Sequence, residues 1–164
     1  MELDMNRWQV LIDLIKTNNY RKIAEIGVYH GKTARHILEA CELDEYYCID
    51  PVQYYPFAEW LIERRKQIKT DIQYWIVRSD MAVKVIDNQS LDLVFIDALH
   101  DYDNVKADIE SWKPKVRNGG ILCGDDYGQI HCEGVKEAVD EVFGNNIELI
   151  PVGRKECKIW VVRF

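Results

Sequence analysis

Ile147-Glu148-Leu149-Ile150-Pro151-Val152, then Gly153-Arg154-Lys155-Glu156-Cys157, then Lys158-Ile159-Trp160-Val161-Val162-Arg163: this closing stretch decides how the sheet of the protein ends. Two apolar runs joined by a short polar connection predict an antiparallel hairpin. A standard dinucleotide-binding sheet would end on another parallel strand instead.

Working outward from the hairpin, the chain alternates short apolar runs with helical segments, the pattern of a parallel sheet with helices on both faces. Moving back from it, the pattern predicts a helix over Gly134–Phe143 and a strand over Ile121–Gly124, entered from an Asn118-Gly119-Gly120 turn. Further back come a helix over about Asp103–Trp112 and a strand over Leu91–Ile96, apolar enough for a central parallel strand. A short helix over Asp80–Ile86 follows a strand over Ile72–Arg78, which follows a helix over Pro56–Ile68. Ahead of these lie a strand over Tyr46–Asp50, a helix over Lys32–Ala40 and a strand over Lys22–Gly27. A leading helix over about Asp4–Thr17 carries Trp8, Leu11, Ile12 and Ile15 on one stripe. The 164 residues contain no repeat or linker and suit one domain. The expected fold is α/β: a doubly wound, mostly parallel, seven-stranded sheet with an antiparallel C-terminal hairpin. Five β-α units followed by a hairpin resemble the sheet of class I methyltransferases, a Rossmann-like fold that uses S-adenosylmethionine.

Composition narrows the partners. The net charge of −7 argues against nucleic acid, which needs clustered Lys and Arg. The one dense basic cluster, Arg64-Arg65-Lys66, falls in a helical pattern and reads as a solvated face. No apolar run approaches the ~20 residues that cross a bilayer. Met1–Asp13 mixes acids with apolar residues and does not read as a signal peptide, so the cytoplasm is the default location. Cys41, Cys48, Cys123, Cys132 and Cys157 are odd in number and include no C-x-x-C pair, which supports neither a disulfide framework nor a zinc site.

In open α/β sheets ligands bind beyond the carboxyl ends of the strands. The first end is Glu25-Ile26-Gly27-Val28-Tyr29-His30-Gly31. Gly27 permits a sharp turn, and Gly31 lets the next helix start close to a ligand. Gly27 to Thr33 comes near a phosphate-binding loop but has three residues between its glycines where four are needed. Tyr29 stands where the dinucleotide fingerprint requires a glycine to admit a pyrophosphate. S-adenosylmethionine has no phosphate, so the class I resemblance tolerates Tyr29, and Glu25 is a carboxylate for the cofactor's ammonium group. Asp50 stands 23 positions after Gly27, where a carboxylate takes ribose hydroxyls; the alternative is a cap on the turn before Pro51. At Arg78-Ser79-Asp80-Met81, Asp80 either caps the next helix or accepts from the adenine amino group, with Met81 against the ring and Ser79 beside it.

The fourth and fifth strands end in Phe95-Ile96-Asp97-Ala98-Leu99-His100-Asp101-Tyr102 and Gly124-Asp125-Asp126-Tyr127. Adjacent strands would crowd Asp97, Asp125 and Asp126 into one space, which calls for a positive charge among them. A hard divalent cation, Mg²⁺ by default, meets that need; the alternative is one helix cap and one solvated acid. The stretch from Leu91 to Tyr127, with Gly134-Val135-Lys136-Glu137-Ala138-Val139-Asp140 after it, resembles the metal-dependent O-methyltransferases of the macrocin type. The resemblance places Asp97, Asp125 and Asp126 at metal-ligand positions, with Asp97 also counted among the cofactor-binding and catalytic residues. Relatives commonly carry D-G-D after the fourth strand, with the second Asp as base; Leu99 stands there, which moves that role to His100. His100 is alternatively a helix-start residue bonded to backbone, and His131 is a weaker candidate base.

The expected chemistry is methylation of a small-molecule hydroxyl. The aromatic Gln53-Tyr54-Tyr55-Pro56-Phe57 either walls a pocket or packs a loop. Without the extra helices of larger relatives, the pocket is open or is completed by a second subunit in a homo-oligomer. Three functional classes stay open at this point: a metal-dependent O-methyltransferase, a metal-free small-molecule methyltransferase, and a binding protein on the same fold.

Overall fold

The computed structural model describes residues 5–153 and 157–164. These form a seven-stranded sheet of β1 (Lys22–Ile26), β2 (Glu45–Asp50), β3 (Asp71–Ile76), β4 (Leu91–Ile96), β5 (Val116–Tyr127), β6 (Glu148–Pro151) and β7 (Lys158–Arg163). The strand order is β3-β2-β1-β4-β5-β7-β6. β1 through β5 pair in parallel, whereas β7 runs antiparallel to both β5 and β6. The doubly wound sheet with a closing hairpin is therefore the fold of this chain. Arg154–Glu156, in the expected hairpin connection, lie outside the described residues, as does Asp4 at the expected start of the leading helix.

Alternation along the strands divides the core in two. Ile23, Leu93, Phe95 and Ile121 join one apolar cluster with Leu11 and Ile15 of α1 (Arg7–Asn18) and Ala34 and Ile37 of α2 (Lys32–Ala40). Phe57 of α3 (Tyr55–Arg64) completes it. Ala24, Val94, Ile96 and Leu122 join the other, with Ala82 of α4 (Ser79–Ala82), Ile109 and Trp112 of α5 (Tyr102–Trp112) and Val139 of α6 (Glu133–Phe143). Every residue of β4 is buried, including Asp92. The carboxylate of Asp92 accepts the backbone N–H groups of Arg21 and Lys22 at 2.6 and 2.8 Å, which offsets its desolvation. No helix among the described residues is long and apolar enough to cross a membrane.

Two local expectations need correction. Asn118-Gly119-Gly120 does not reverse the chain ahead of β5 but lies inside it. Extra residues are absorbed where Leu91 pairs with Val116 and Leu93 with Ile121, a bulge that keeps the strand running. The helix expected over Asp80–Ile86 is one α-helical turn that tightens into a 3₁₀ turn over Val83–Val85.

The start of α1 is fixed by its own residues. Asn6 and Gln9 form a reciprocal capping box that satisfies backbone donors of the first turn. Trp8 is stacked on His36 with ring centroids 4.5 Å apart, and the Lys32 ammonium lies 4.4 Å from the Trp8 ring centre. Arg7, between these anchors, is consequently held on a rigid element.

Candidate active site

The loop after β1 is braced by a carboxylate from β2. Oδ2 of Asp50 accepts the backbone N–H groups of Val28 and Tyr29 at 2.9 and 2.8 Å, while Oδ1 accepts that of Val52 at 2.8 Å. Asp50 thus does what the turn-capping alternative asks, and Oδ1 keeps acceptor capacity for a further donor. Gly27, at φ +88°, has no room for a side chain because a Cβ would lie 2.1 Å from the Asp97 carbonyl oxygen. Gly31, at φ +70°, is filled by the ring of Phe57, whose Cδ2 would lie 2.1 Å from a Cβ. On its Cβ side Gly31 thus lies in close approach to a core aromatic. Tyr29 is exposed and packs edge-on against His30 and Tyr54, at 3.9 and 4.8 Å between centroids. The aromatic segment after β2 is thus split: Phe57 is core, Tyr54 joins the loop after β1 and Tyr55 is exposed.

Glu25 lies beneath this loop, fully buried, with Oε2 accepting the Tyr46 hydroxyl at 2.6 Å. Burial pushes its carboxyl up to about 8, although the Tyr46 bond pulls the other way. An ammonium group meeting Glu25 directly has to reach below the surface. The Ser79 hydroxyl is engaged by Asp108 at 2.5 Å and by the Trp112 indole N–H at 2.7 Å. Asp80 does not cap α4: Arg78 holds the cap position without a side-chain bond, and Asp80 pairs with Arg78 at 3.0 Å. Asp80 and Met81 are both exposed at the end of β3.

At the ends of β4 and β5 an arginine appears that the sequence pattern did not single out. Nη1 of Arg7 donates to Oδ2 of Asp97 at 2.7 Å and to Oδ2 of Asp125 at 2.6 Å. Burial disfavours the guanidinium charge, but Asp97 and Asp125 outweigh it and hold Arg7 more firmly protonated than usual. Burial pushes the Asp97 carboxyl up to about 7 against the pull of Arg7. Asp126 turns elsewhere, with Oδ2 3.0 Å from Nε2 of His100. Asp125 meets Arg7 of α1 while Asp126 meets His100 of the segment leading into α5, and both acids also approach the Cys157 thiol. A bulge opposite β7, between Gly124 and Tyr127, and a left-handed Asp126 at φ 61° complete the geometry.

Arg7 stands between two members of the expected Mg²⁺ trio, Asp97 and Asp125. Among the described residues, the ligand atoms lying within 4.8 Å of one another are those of His100, Asp126 and Cys132, and those of Asp125, Asp126 and Cys157. Asp97 is in neither group, and the charge that the crowded carboxylates call for comes from Arg7 and His100. Cys157 also approaches the acids, its Sγ 3.5 Å from Oδ1 of Asp125.

His100 is partly exposed beside these acids, and the Asp126 hydrogen bond raises its pKa above the ordinary 6.5. Asp101 caps α5 by accepting the N–H of Asn104, so His100 is not needed as the helix-start residue. His131 is exposed at φ 69°, its backbone N–H directed to Glu133. A cavity of about 140 Å³ beside the site is lined by Asn6, Arg7, Trp8, Lys32, Asp125 and Cys157, among others. A far broader groove of about 900 Å³ lies around Arg21, Cys41, Asp44 and Lys69, at the amino ends of the strands. It contains none of the expected site residues. Asp97, His100, Asp125 and Asp126 together line a narrow cleft of about 10 Å³, which shares Asp125 with the cavity of about 140 Å³.

The sequence profile of a methyltransferase domain family matches residues 24–127, and the chain belongs to that family. No curated protein matches it. Among solved structures, an O-methyltransferase from Bacillus cereus in complex with SAH is 17% identical, with a TM-score of 0.75 over 96% of this chain and 80% of that one. The O-methyltransferase TomG from Streptomyces achromogenes, involved in tomaymycin synthesis and solved with SAM, is 18% identical, with a TM-score of 0.69 over 96% and 80% of the two chains. The 1,6-didemethyltoxoflavin-N1-methyltransferase from Burkholderia thailandensis is 9% identical, with a TM-score of 0.66 over 99% and 78%. The likeness is one of fold, and the fold is that of class I methyltransferases.

Proposed function

We propose that the protein is an S-adenosylmethionine-dependent methyltransferase that methylates a hydroxyl of a small molecule. The observation that carries this reading is the convergence of Arg7, Asp97, Asp125, Asp126 and His100 at the ends of adjacent strands in a methyltransferase-family sheet. The bound cofactor supplies an electrophilic methyl group on a sulfonium. Asp50 holds the ribose through the spare capacity of Oδ1, with the Gly27–Gly31 loop kept in shape by Oδ2. Met81 and Asp80 offer an exposed apolar contact and an acceptor for the adenine. Glu25 acts on the ammonium end from below the loop.

At the reacting end, His100 would accept the proton of the substrate hydroxyl as that oxygen takes the methyl carbon, the carbon–sulfur bond breaking with its electron pair left on the departing thioether. Asp126 orients the imidazole and stabilises its protonated form. The cleft of about 10 Å³ lined by Asp97, His100, Asp125 and Asp126 is small against the usual 300–1,000 Å³ of ligand pockets, so the acceptor is small or is walled partly by a second copy in a homo-oligomer. The free, buried cysteines suit a reducing compartment, in line with the cytoplasm.

Metal assistance is a second reading, supported by the oxygen chemistry of Asp97, Asp125 and Asp126. It requires Arg7 to leave its place, and the Arg7 geometry favours the metal-free form. Calorimetric titration with S-adenosylmethionine, NAD and ATP tests the function. Binding of S-adenosylmethionine alone supports it; binding of only NAD or ATP overturns it.

A further inference from the structure

Arg7 sits where a cofactor cation would be sought. One nitrogen, Nη1, makes both of its acid contacts, at 2.7 and 2.6 Å, so it acts on the two carboxylates much as a point charge does. The side chains of Asp97 and Asp125 are 14% and 4% exposed, and that of Arg7 is 25% exposed. Little water screens these contacts, and buried carboxylates without a partner are strongly unfavourable. The guanidinium is also well anchored, since the Asn6–Gln9 capping box and the stack of Trp8 on His36 fix the first turn of α1. Asp126 pairs with His100, and the Arg7 nitrogen bonds directly to the carboxylates of Asp97 and Asp125.

We propose that Arg7 is the resident cation of this site, occupying the place between Asp97 and Asp125 that a divalent ion would need. The methyl-transfer consequence rests on the function proposed above: the chain neutralises its acidic centre with its own guanidinium and needs no divalent ion there. In this role Arg7 is a positioning residue. It holds two carboxylates in fixed orientation at the ends of β4 and β5.

The test is a Mn²⁺ titration, followed by electron paramagnetic resonance of the free ion, on the full chain and on Arg7→Gln, with circular dichroism confirming the fold of each. The wild type is expected to leave millimolar Mn²⁺ free. Arg7→Gln is expected to bind Mn²⁺ at least tenfold more tightly, and Asp125→Asn in that background to remove the gain. Wild-type binding as tight as that of Arg7→Gln overturns the proposal, and so does a folded Arg7→Gln that binds no Mn²⁺. If Arg7→Gln fails to fold, Arg7→Lys carries the test: it keeps the charge and is expected to exclude Mn²⁺, and tight binding by it overturns the proposal. S-adenosylmethionine titration of the wild type separates the two readings. Failure to bind the cofactor, with Mn²⁺ still excluded, removes methyl transfer and leaves the cation assignment intact.

Discussion

The carboxylate of Asp50 accepts the backbone N–H of Tyr29 at 2.8 Å, tying the end of β2 to the loop that follows β1. The same side chain therefore shapes the proposed cofactor loop and, through Oδ1, offers the cofactor an acceptor. Asp50→Ala is expected to weaken S-adenosylmethionine binding at least tenfold, roughly the loss of one charge-assisted hydrogen bond. It is also expected to lower the melting temperature, because Val28, Tyr29 and Val52 lose their acceptor. Calorimetry and thermal denaturation measure the two effects separately. A less stable mutant with normal affinity would make Asp50 a brace alone.

His100→Ala should cut turnover by about 10²–10⁴, the usual contribution of a general base, with cofactor affinity nearly unchanged. Because Asp126 raises the His100 pKa above 6.5, the imidazole becomes a competent base at higher pH than a free histidine. An NMR titration of the His100 ring should place its midpoint above 6.5, and Asp126→Asn should bring it down. A midpoint indifferent to Asp126→Asn would dissolve the pair.

Glu25 makes stability depend on pH in a direction opposite to that of most carboxylates. Its folded-state value is raised from 4.5 to about 8, so the folded protein keeps a proton that the unfolded chain gives up. Its contribution is full below about 4.5, declines as pH rises through the window, and is gone above about 8. The slope is about 1.4 kcal/mol per pH unit at most. Urea denaturation of wild type and Glu25→Gln at the two ends of this window should show the wild type losing a few kcal/mol relative to the mutant. Parallel pH profiles would place the proton elsewhere.

Gly31→Ala should destabilise the fold by about 2–4 kcal/mol, combining overpacking with a strained left-handed backbone. The clash is with Phe57, so Phe57→Leu should recover part of the loss in the double mutant. A folded Gly31→Ala of normal stability that fails to bind S-adenosylmethionine would return Gly31 to the ligand-approach role.

Most of the fold was legible because each strand and helix carries its own period. The fully buried β4 reads as central without reference to any other segment. The turn chemistry misled at Asn118-Gly119-Gly120, where a bulge against β4 uses residues that elsewhere make a reversal. Gly31 is a related case: a glycine announces a close approach but not what approaches, and on its Cβ side it is the Phe57 ring. The acids at the strand ends were legible by topology, and so was their need for a positive charge. Arg7 was not, since a single arginine in an amphipathic helix carries no local pattern. Its partners stand 90 and 118 positions away. The resemblance to metal-dependent enzymes pointed to a cation between these acids, and the Arg7 guanidinium lies between two of them.

The bond between Arg7 and Asp125 spans 118 positions of sequence. At ordinary rates of synthesis, roughly 6 to 24 s separate the emergence of the two residues from the ribosome. Throughout that interval Arg7 has no Asp125 to meet, and Cys157, which also contacts Asp125, emerges later still. The closing of this acidic cluster is thus a late event in the birth of this protein, set by the length of chain between its two ends.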